Sequence, residues 1–195
     1  MYFIVFDTET VGKINNNNVV DLSYLIVNKK GYVVLEQKSY LIKEFITNKI
    51  TKKYYNEKTI KNIAIEEFGV IKQEFINLVN EYQIEKIYGF NCNFDKRALN
   101  NTNLNLLLEK NFFIDTVEII DIKPLADKHI ISKKSYIQFC IKNQFFTTGY
   151  NLRTDLETIY RFISKNSFYN QEHTGLKDIY ITLEVLKYIF KEEKK

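Results

Sequence analysis

The sequence has few of the residues that build disulfides, zinc sites and interdomain linkers. It contains two cysteines, Cys92 and Cys140, which are too few for a disulfide framework and favour a reducing, cytoplasmic location. The absence of a cluster of cysteine and histidine argues against a structural zinc ion. With one proline and six glycines there is no Pro/Gly/Ser-rich linker, so residues 1–195 are predicted to form a single domain.

Long apolar runs are absent as well. No run approaches the roughly 20 residues that span a bilayer, so the sequence predicts no membrane partner. The N-terminal stretch lacks a basic start and leads into carboxylates, unlike a secretory signal peptide. Lysine and arginine number 28 against 24 acidic residues, and the resulting net charge of +4 is compatible with a polyanionic partner without requiring one.

The N-terminal part of the chain predicts three strands joined by short turns. The first is the apolar run Tyr2–Phe6, and Val19–Val27 and Tyr32–Leu41 follow it. Residues 28–31, Asn-Lys-Lys-Gly, are typical of a hairpin turn, and residues 11–18 are predicted to form an exposed turn. Because parallel neighbours need long crossovers, these strands are expected to be antiparallel.

The rest of the chain alternates between helix and strand. Residues 43–70 are predicted to form short helical pieces, and residues 117–165 are predicted to be helical. Such alternation favours an α/β fold, with parallel strands in this part of the sheet and helices on both of its faces. The predicted strands are Lys86–Gly89 and Phe112–Ile114, and the predicted helices include Val70–Tyr82, Phe94–Leu108, Ser135–Lys142, Asp155–Ile163 and Leu176–Lys191.

Two carboxylates follow the first strand. Asp7 and Glu9 lie two residues apart, so as strand residues they point to the same side of the sheet. Carboxylates that are this close resist ionisation unless a positive charge lies between them, and a hard divalent cation is the simplest such charge. A helix cap or a solvated turn is the alternative explanation of this pair.

Two further segments carry acidic residues at predicted helix starts. Asn91 and Asp95 belong to residues 88–95, which follow a strand and open a helix, and a helix cap is the alternative explanation there. His173 precedes Asp178 by five residues near the start of the last helix. Histidine is the side chain best able to accept a proton near neutral pH, whereas a surface loop is the alternative explanation of this segment.

In this order, the three segments resemble the three exonuclease motifs of the histidine branch (DEDDh) of the DEDD superfamily of 3′→5′ exonucleases. The family includes the epsilon-type proofreading subunits of polymerases. The helical stretch after Asp115 is similar to stand-alone exonucleases of bacteriophages and Gram-positive bacteria. The resemblance implies a ribonuclease H-like α/β fold, whose central five-stranded mixed sheet has the order 3-2-1-4-5 with strand 2 antiparallel. The motifs are Asp7-x-Glu9, Asn91-x-x-Phe94-Asp95 and His173-x-x-x-x-Asp178.

The resemblance also assigns roles to single residues. It implies that four carboxylates hold two Mg²⁺ or Mn²⁺ ions, and that His173 is the general base that takes a proton from the attacking water. It further implies that Thr8, Thr10, Asn91 and Phe94 bind the terminal nucleotide. The implied metal ligands are Asp7, Glu9, Asp95 and Asp178.

The expected activity is metal-dependent 3′→5′ hydrolysis of nucleic acid that releases nucleoside 5′-monophosphates, with single-stranded DNA as the favoured substrate. The alternatives are a 3′-end exoribonuclease, a structure-specific endonuclease, and a non-catalytic module that binds nucleic acid or a polymerase on the same fold. A polymerase partner for proofreading in DNA replication is a further expectation from the resemblance. The chain departs from the family at Val11, Phe90 and Gly175, where threonine, histidine and alanine are usual, but none of these changes removes an implied ligand.

Overall fold

A mixed β-sheet forms the centre of the computed structural model, which describes residues 1–13, 16–46, 63–108, 111–171 and 174–194. The strands in these ranges are β1 (Tyr2–Lys13), β2 (Asn16–Asn28), β3 (Val33–Ile42), β4 (Ala64–Glu66), β5 (Lys86–Gly89) and β6 (Glu118–Asp121). Within the described residues, the six strands follow the order β4-β3-β2-β1-β5-β6.

The pairing of the strands places β1 in the interior of the sheet. It pairs antiparallel with β2, from Tyr2 opposite Asn28 to Lys13 opposite Asn16, and parallel with β5 on its other side. The pair of β2 and β3 is antiparallel, whereas β4 lies parallel to β3 and β6 parallel to β5. The predicted order 3-2-1-4-5 and the antiparallel second strand are therefore confirmed for the strands β3-β2-β1-β5-β6. In this order β6 takes the place of the strand that was predicted at Phe112–Ile114.

Four local predictions were wrong, three of them because a strand lies where none was predicted. Residues 43–70 were predicted to be helical pieces, but β4 lies there and adds a sixth strand; residues 47–62 of that prediction lie outside the described residues. Residues 117–165 were predicted to be helical, yet β6 opens this stretch because Ile119 and Ile120 pair with β5. The exposed turn that was predicted at residues 11–18 is strand in its described residues, because β1 extends to Lys13, β2 begins at Asn16, and Asn17 is buried. Residues 14 and 15 lie outside the described residues.

Phe112–Ile114 is not a strand, although it was predicted to be one. Phe112 and Phe113 are buried and pack against other aromatic rings of the core: Phe113 is T-shaped to Phe6, and Phe112 is tilted against Phe75. The backbone N–H of Phe112 donates to the side chain of Asn100 rather than to a neighbouring strand. The apolar run therefore marks a loop that inserts into the core.

The helices agree with the sequence more closely than these strands do, and each of the five predicted helices is present within a few residues of its predicted bounds. Pro124 lies in the first turn of a short additional helix, where its missing N–H is not needed. No helix among the described residues combines the length and the apolar character that a membrane crossing requires. The helices are α1 (Phe68–Glu81), α2 (Asn93–Asn105), α3 (Ile122–Ala126), α4 (Lys134–Asn143), α5 (Leu156–Ser164) and α6 (Gly175–Glu192), with a π-helical segment at Asp127–Ile131.

Side chains of β1 alternate between two hydrophobic clusters, one on each face of the sheet. Ile4 and Phe6 pack in the cluster that contains residues of α1 and α2. Phe3 and Val5 pack in the other cluster, which contains residues of α3 to α6. Because the alternation continues past the apolar run, Asp7 and Glu9 fall on the α6 side and Thr8 falls on the α2 side.

Candidate active site

Three carboxylates meet at the end of the apolar part of β1. Asp7, Glu9 and Asp178 each offer one carboxylate oxygen, and these oxygens all lie within 4.8 Å of one another. Asp178 is buried, whereas Asp7 and Glu9 are partly exposed, so the cluster has an open side. The same-side prediction for Asp7 and Glu9 is confirmed, and Asp178 joins them from a helix far along the chain.

The apolar stripe of α6 explains how Asp178 reaches this position. Ile179, Leu183, Leu186 and Ile189 recur at helical spacing and are all buried against the sheet, as the sequence predicts. Asp178 lies in the first turn of the same helix. Packing of the stripe therefore brings the start of α6 to the middle of β1, where Asp7 and Glu9 lie.

Asp95 approaches from the opposite side of the sheet. It lies in the first turn of α2, and its Oδ1 accepts a 2.6 Å hydrogen bond from the hydroxyl of Thr8. Within the described part of the chain, Asp95 is not in the group of three converging oxygens. It is still close enough for its charge to act on Asp7 and Glu9.

Burial and mutual repulsion raise the pKa values of these acids. Burial raises the pKa of Asp7 well above its usual range, and the charges of Asp95 and then Asp178 raise it further. Burial and then the charge of Asp178 raise the pKa of Glu9 to about 8. Such a cluster holds protons at neutral pH unless positive charge is supplied, which is the electrostatic signature of a cation site.

Burial also raises the pKa of Asp95, to about 6, although three hydrogen bonds oppose it. The largest opposing effect comes from the Thr8 hydroxyl, which donates to the carboxylate and so favours its charged form. The alternative explanation of this segment, a helix cap, is not what the structure contains, because the residue before α2, Cys92, makes no capping hydrogen bond through its side chain. Asp95 therefore contacts Thr8 of β1 instead of capping its own helix.

The loop between β5 and α2 has a tight and well-fixed path. A Cβ atom on Gly89 would lie 2.6 Å from the Cβ of Cys92 and 3.0 Å from a ring carbon of Phe6, so only glycine fits there. Asn91 adopts a left-handed φ of 59°, and its N–H donates a 2.9 Å hydrogen bond to Asp121 at the end of β6. These contacts hold the segment that carries Asp95 against the sheet.

The remaining predicted site residues are Thr8, Thr10, Asn91, Phe94 and His173. Thr10 and Phe94 are partly exposed, and Asn91 is exposed, so all three are accessible to solvent. Thr8 is buried, and its hydroxyl contacts Asp95. His173 lies outside the described residues.

Comparison with solved structures gives the fold a context. The nuclease domain of 3'hExo, a DEDDh family member, bound to rAMP, matches with a TM-score of 0.69 over 98% of this chain and 92% of its own, at 10% identity. E. coli Exonuclease I in complex with a dA16 oligonucleotide matches with a TM-score of 0.63 over 97% of this chain, at 12% identity. A structure of 3'-end specific recognition of histone mRNA stem-loop by 3'-exonuclease matches with a TM-score of 0.68 over 98% of this chain and 82% of its own, at 10% identity.

The chain has the fold of DEDDh exonuclease domains. The comparison shows the fold alone at these identities, and the chain spans only 41% of the length of the Exonuclease I chain. No protein-family model matches the sequence, and no curated protein matches it either.

Sequence reasoning missed Asp21 and Ser23, which lie beside the cluster of Asp7, Glu9 and Asp178. Asp21 pairs with Glu9 and Ser23 pairs with Asp7 in the antiparallel register of β1 and β2. Both side chains are fully buried, and the charge of Asp21 contributes to the raised pKa values of Asp7 and Glu9. The signal was present in the sequence, because Asp21 and Ser23 are the polar, alternate residues of an otherwise apolar strand.

Proposed function

We propose that this protein is a metal-dependent 3′→5′ exonuclease that removes nucleoside 5′-monophosphates from the 3′ end of a nucleic acid strand. The observation that carries the proposal is the meeting of Asp7, Glu9 and Asp178 within 4.8 Å, with Asp95 held beside them by Thr8. The fold is shared with exonuclease domains, which supports the same reaction class.

The residues present fit divalent cations with oxygen ligands. Mg²⁺ and Mn²⁺ prefer carboxylates, and the cluster offers three converging carboxylate oxygens and no sulfur or nitrogen ligand among the described residues. The raised pKa values of Asp7 and Glu9 fit too, because a bound cation is the charge that would let both ionise. Two such ions, when bound, stabilise the entering and leaving oxygens of a phosphoryl displacement.

The protein's own residues divide the remaining work. Asp7, Glu9 and Asp178 hold the first cation, and Asp95 contributes to the second while Thr8 fixes its carboxylate. His173 is the general base that takes a proton from the attacking water, an assignment that rests on its spacing from Asp178. Thr10, Asn91 and Phe94, together with the backbone at Thr8, bind the terminal nucleotide.

Single-stranded DNA is the proposed substrate, and RNA is the alternative. A single strand needs no unpairing before its 3′ end enters a site, and an aromatic side chain such as Phe94 can stack on any base. The fold neighbours include one protein bound to a dA16 oligonucleotide and one that recognises a histone mRNA stem-loop, so the fold is compatible with either polymer.

Product analysis on matched DNA and RNA strands tests the proposal. The strands carry a label at the 3′ end, and the protein is assayed with Mg²⁺ or Mn²⁺ and with a chelator. We expect mononucleotides with metal, none with the chelator, and none from Asp7→Asn. Glu184→Gln is the matched control, because Glu184 is an exposed acid on α6 that pairs only with Lys187 among the contacts described.

Each other outcome has a distinct meaning. Release of mononucleotides by Asp7→Asn at the wild-type rate contradicts the proposed site. Oligonucleotide products indicate an endonuclease instead. Binding without cleavage, unchanged by the chelator, indicates a non-catalytic module.

Several finer expectations stay predictions. They are a single domain over residues 1–195, a cytoplasmic location, a polymerase partner for proofreading, and a relationship to epsilon-type or phage-type exonucleases. The domain prediction is checked by limited proteolysis, and the partner prediction by co-purification with a polymerase.

A further inference from the structure

A row of polar residues crosses three strands beneath the start of α6. Asp7 of β1 lies opposite Ser23 of β2, and Ser23 lies opposite Ser39 of β3. One pleat further along, Glu9 lies opposite Asp21. The two strands β1 and β2 therefore present three carboxylates, those of Asp7, Glu9 and Asp21, and the hydroxyl of Ser23 to the same helix.

Ser23 is the centre of this row. Its hydroxyl donates a 2.9 Å hydrogen bond to Oδ1 of Asp21, and its oxygen lies 2.9 Å from the hydroxyl of Ser39. Asp21 and Ser23 are each 0% exposed, so both side chains are covered by surrounding protein. They form a fixed polar floor, because buried hydrogen-bonded groups are costly to rearrange.

The first residue of α6 rests directly on this floor. A Cβ atom on Gly175 would lie 2.8 Å from Ser23 Oγ, 2.9 Å from Asp21 Oδ1 and 3.1 Å from Ser23 Cβ. Gly31 is the one glycine with a positive φ among the described residues, so the backbone at Gly175 does not require glycine. Space alone excludes a larger side chain at this position.

Gly175 and Asp178 lie three residues apart in the same helix, so they share a face. The depth at which Gly175 meets the floor therefore fixes how far Asp178 reaches toward Asp7 and Glu9. We propose that Asp21 and Ser23 are positioning residues that seat α6 through Gly175 and so place Asp178 in the cation site. This proposal rests on the proposed function, because the position of Asp178 matters for activity only if Asp178 binds a cation.

Asp21 acts here through the helix rather than as a ligand. It is not among the three carboxylates whose oxygens converge in the described structure. Its carboxylate accepts the hydroxyl of Ser23 and faces Gly175. The close contact between Ser23 and Gly175 is therefore the feature that the mutations should change.

The test compares Mn²⁺ affinity and exonuclease kinetics of Gly175→Ala, Ser23→Gly and the double variant. Mutation of a residue that orients a metal ligand typically lowers metal affinity or activity by about 10- to 100-fold. We therefore expect Gly175→Ala to lower the Mn²⁺ affinity by about 10-fold. We expect kcat to fall with little change in KM, because the nucleotide-binding residues are not moved. The double variant is expected to recover part of the loss, because removing the Ser23 side chain takes away two of the three close contacts and leaves the one with Asp21 Oδ1.

Gly69→Ala is the matched control. Gly69 also lies in the first turn of a helix, α1, but a Cβ there would have only Leu108 Cδ1 nearby, at 4.0 Å. Its Mn²⁺ affinity and kcat are expected to equal those of the wild type. The thermal midpoint of each metal-free variant separates a positioning effect from loss of the fold.

Two outcomes overturn the inference while leaving the proposed function intact. One is a Gly175→Ala variant with wild-type Mn²⁺ affinity and kcat. The other is a double variant that recovers nothing, which would mean that Ser23 does not help to seat α6. By contrast, a wild-type protein that binds no Mn²⁺ contradicts the proposed function itself.

Discussion

The hydroxyl of Thr8 donates a 2.6 Å hydrogen bond to Oδ1 of Asp95, and this bond ties α2 to the middle of β1. Both side chains are buried, at 7% and 6% exposure. The bond opposes the burial that raises the pKa of Asp95 to about 6. Thr8 thus holds the carboxylate in place and also favours the charged form that a cation needs.

Replacing Thr8 by valine should move the pH dependence of metal binding. Loss of the donor raises the pKa of Asp95 above about 6, so Asp95 becomes neutral at a higher pH as the solution is acidified. Metal ligands must be deprotonated, so the Mn²⁺ affinity of Thr8→Val is expected to decline at a higher pH than that of the wild type. Calorimetric titrations across the acidic range measure the shift. Thr8→Ser keeps the hydroxyl and should match the wild type, whereas identical curves for valine and threonine contradict the assigned role.

The stability of the metal-free protein should fall as the pH rises. The pKa of Glu9 is raised from 4.5 to about 8 and that of Asp7 is raised as well, so the folded state holds protons that the unfolded state releases. Raised acid pKa values contribute stability that is complete below about pH 4.5 and is lost as the pH approaches about 8. The thermal midpoint in EDTA should therefore decrease over this range, and the increase given by Mn²⁺ should grow. Glu9→Gln should flatten the metal-free curve, and a midpoint in EDTA that does not change with pH would falsify the electrostatic picture.

His173→Gln should affect chemistry without affecting metal binding. A general base contributes typically about 100- to 10,000-fold, so kcat is expected to fall by that order while Mn²⁺ affinity is kept. His129 is the natural control, because its ring lies in the π-helical segment, 3.7 Å from Glu193. His129→Gln should retain full activity. Equal kcat values for the wild type and His173→Gln would remove His173 from the mechanism.

Arg161→Ala should destabilise the fold strongly. Arg161 pairs with Glu157 at 3.0 Å, and the two side chains are only 14% and 11% exposed. Arg161 also donates to the carbonyl of Tyr169, while Glu157 accepts the N–H of Gln171. Removing one partner of a buried pair costs about 3–5 kcal/mol, which chemical denaturation measures directly.

The exposed pair Lys187 and Glu184 provides the comparison for Arg161. It lies on α6 with side chains 30% and 49% exposed. Lys187→Ala should cost less than about 1 kcal/mol. Similar losses for the two variants would mean that burial does not distinguish these pairs.

The sequence predicts the features that depend on local pattern. The apolar run before Asp7 predicts β1, and the two-residue spacing predicts that Asp7 and Glu9 share a side. Helical spacing predicts the buried stripe of α6, and hence that Asp178 begins a helix packed on the sheet. The interior strand order follows from the resemblance together with the short turns between the first strands.

Features that depend on tertiary contacts could not be predicted from the local sequence pattern. Phe112 and Phe113 have the composition of a strand, but aromatic packing in the core holds them as a loop. Ile119 and Ile120 fit a helix in sequence, and only the neighbouring β5 makes them a strand. The role of Ser23 required the register of two strands and the position of a helix, which no single segment encodes.

The positions of the three carboxylates along the sequence have a consequence for partly folded molecules. Asp7 and Glu9 belong to the first strand, whereas Asp178 belongs to the last described helix, which packs on the sheet. A chain that has not yet docked α6, or has lost it on heating, keeps two acids that repel each other and no third ligand. On the proposed function, a partly folded molecule cannot degrade nucleic acid, so cutting is restricted to molecules whose folding is complete.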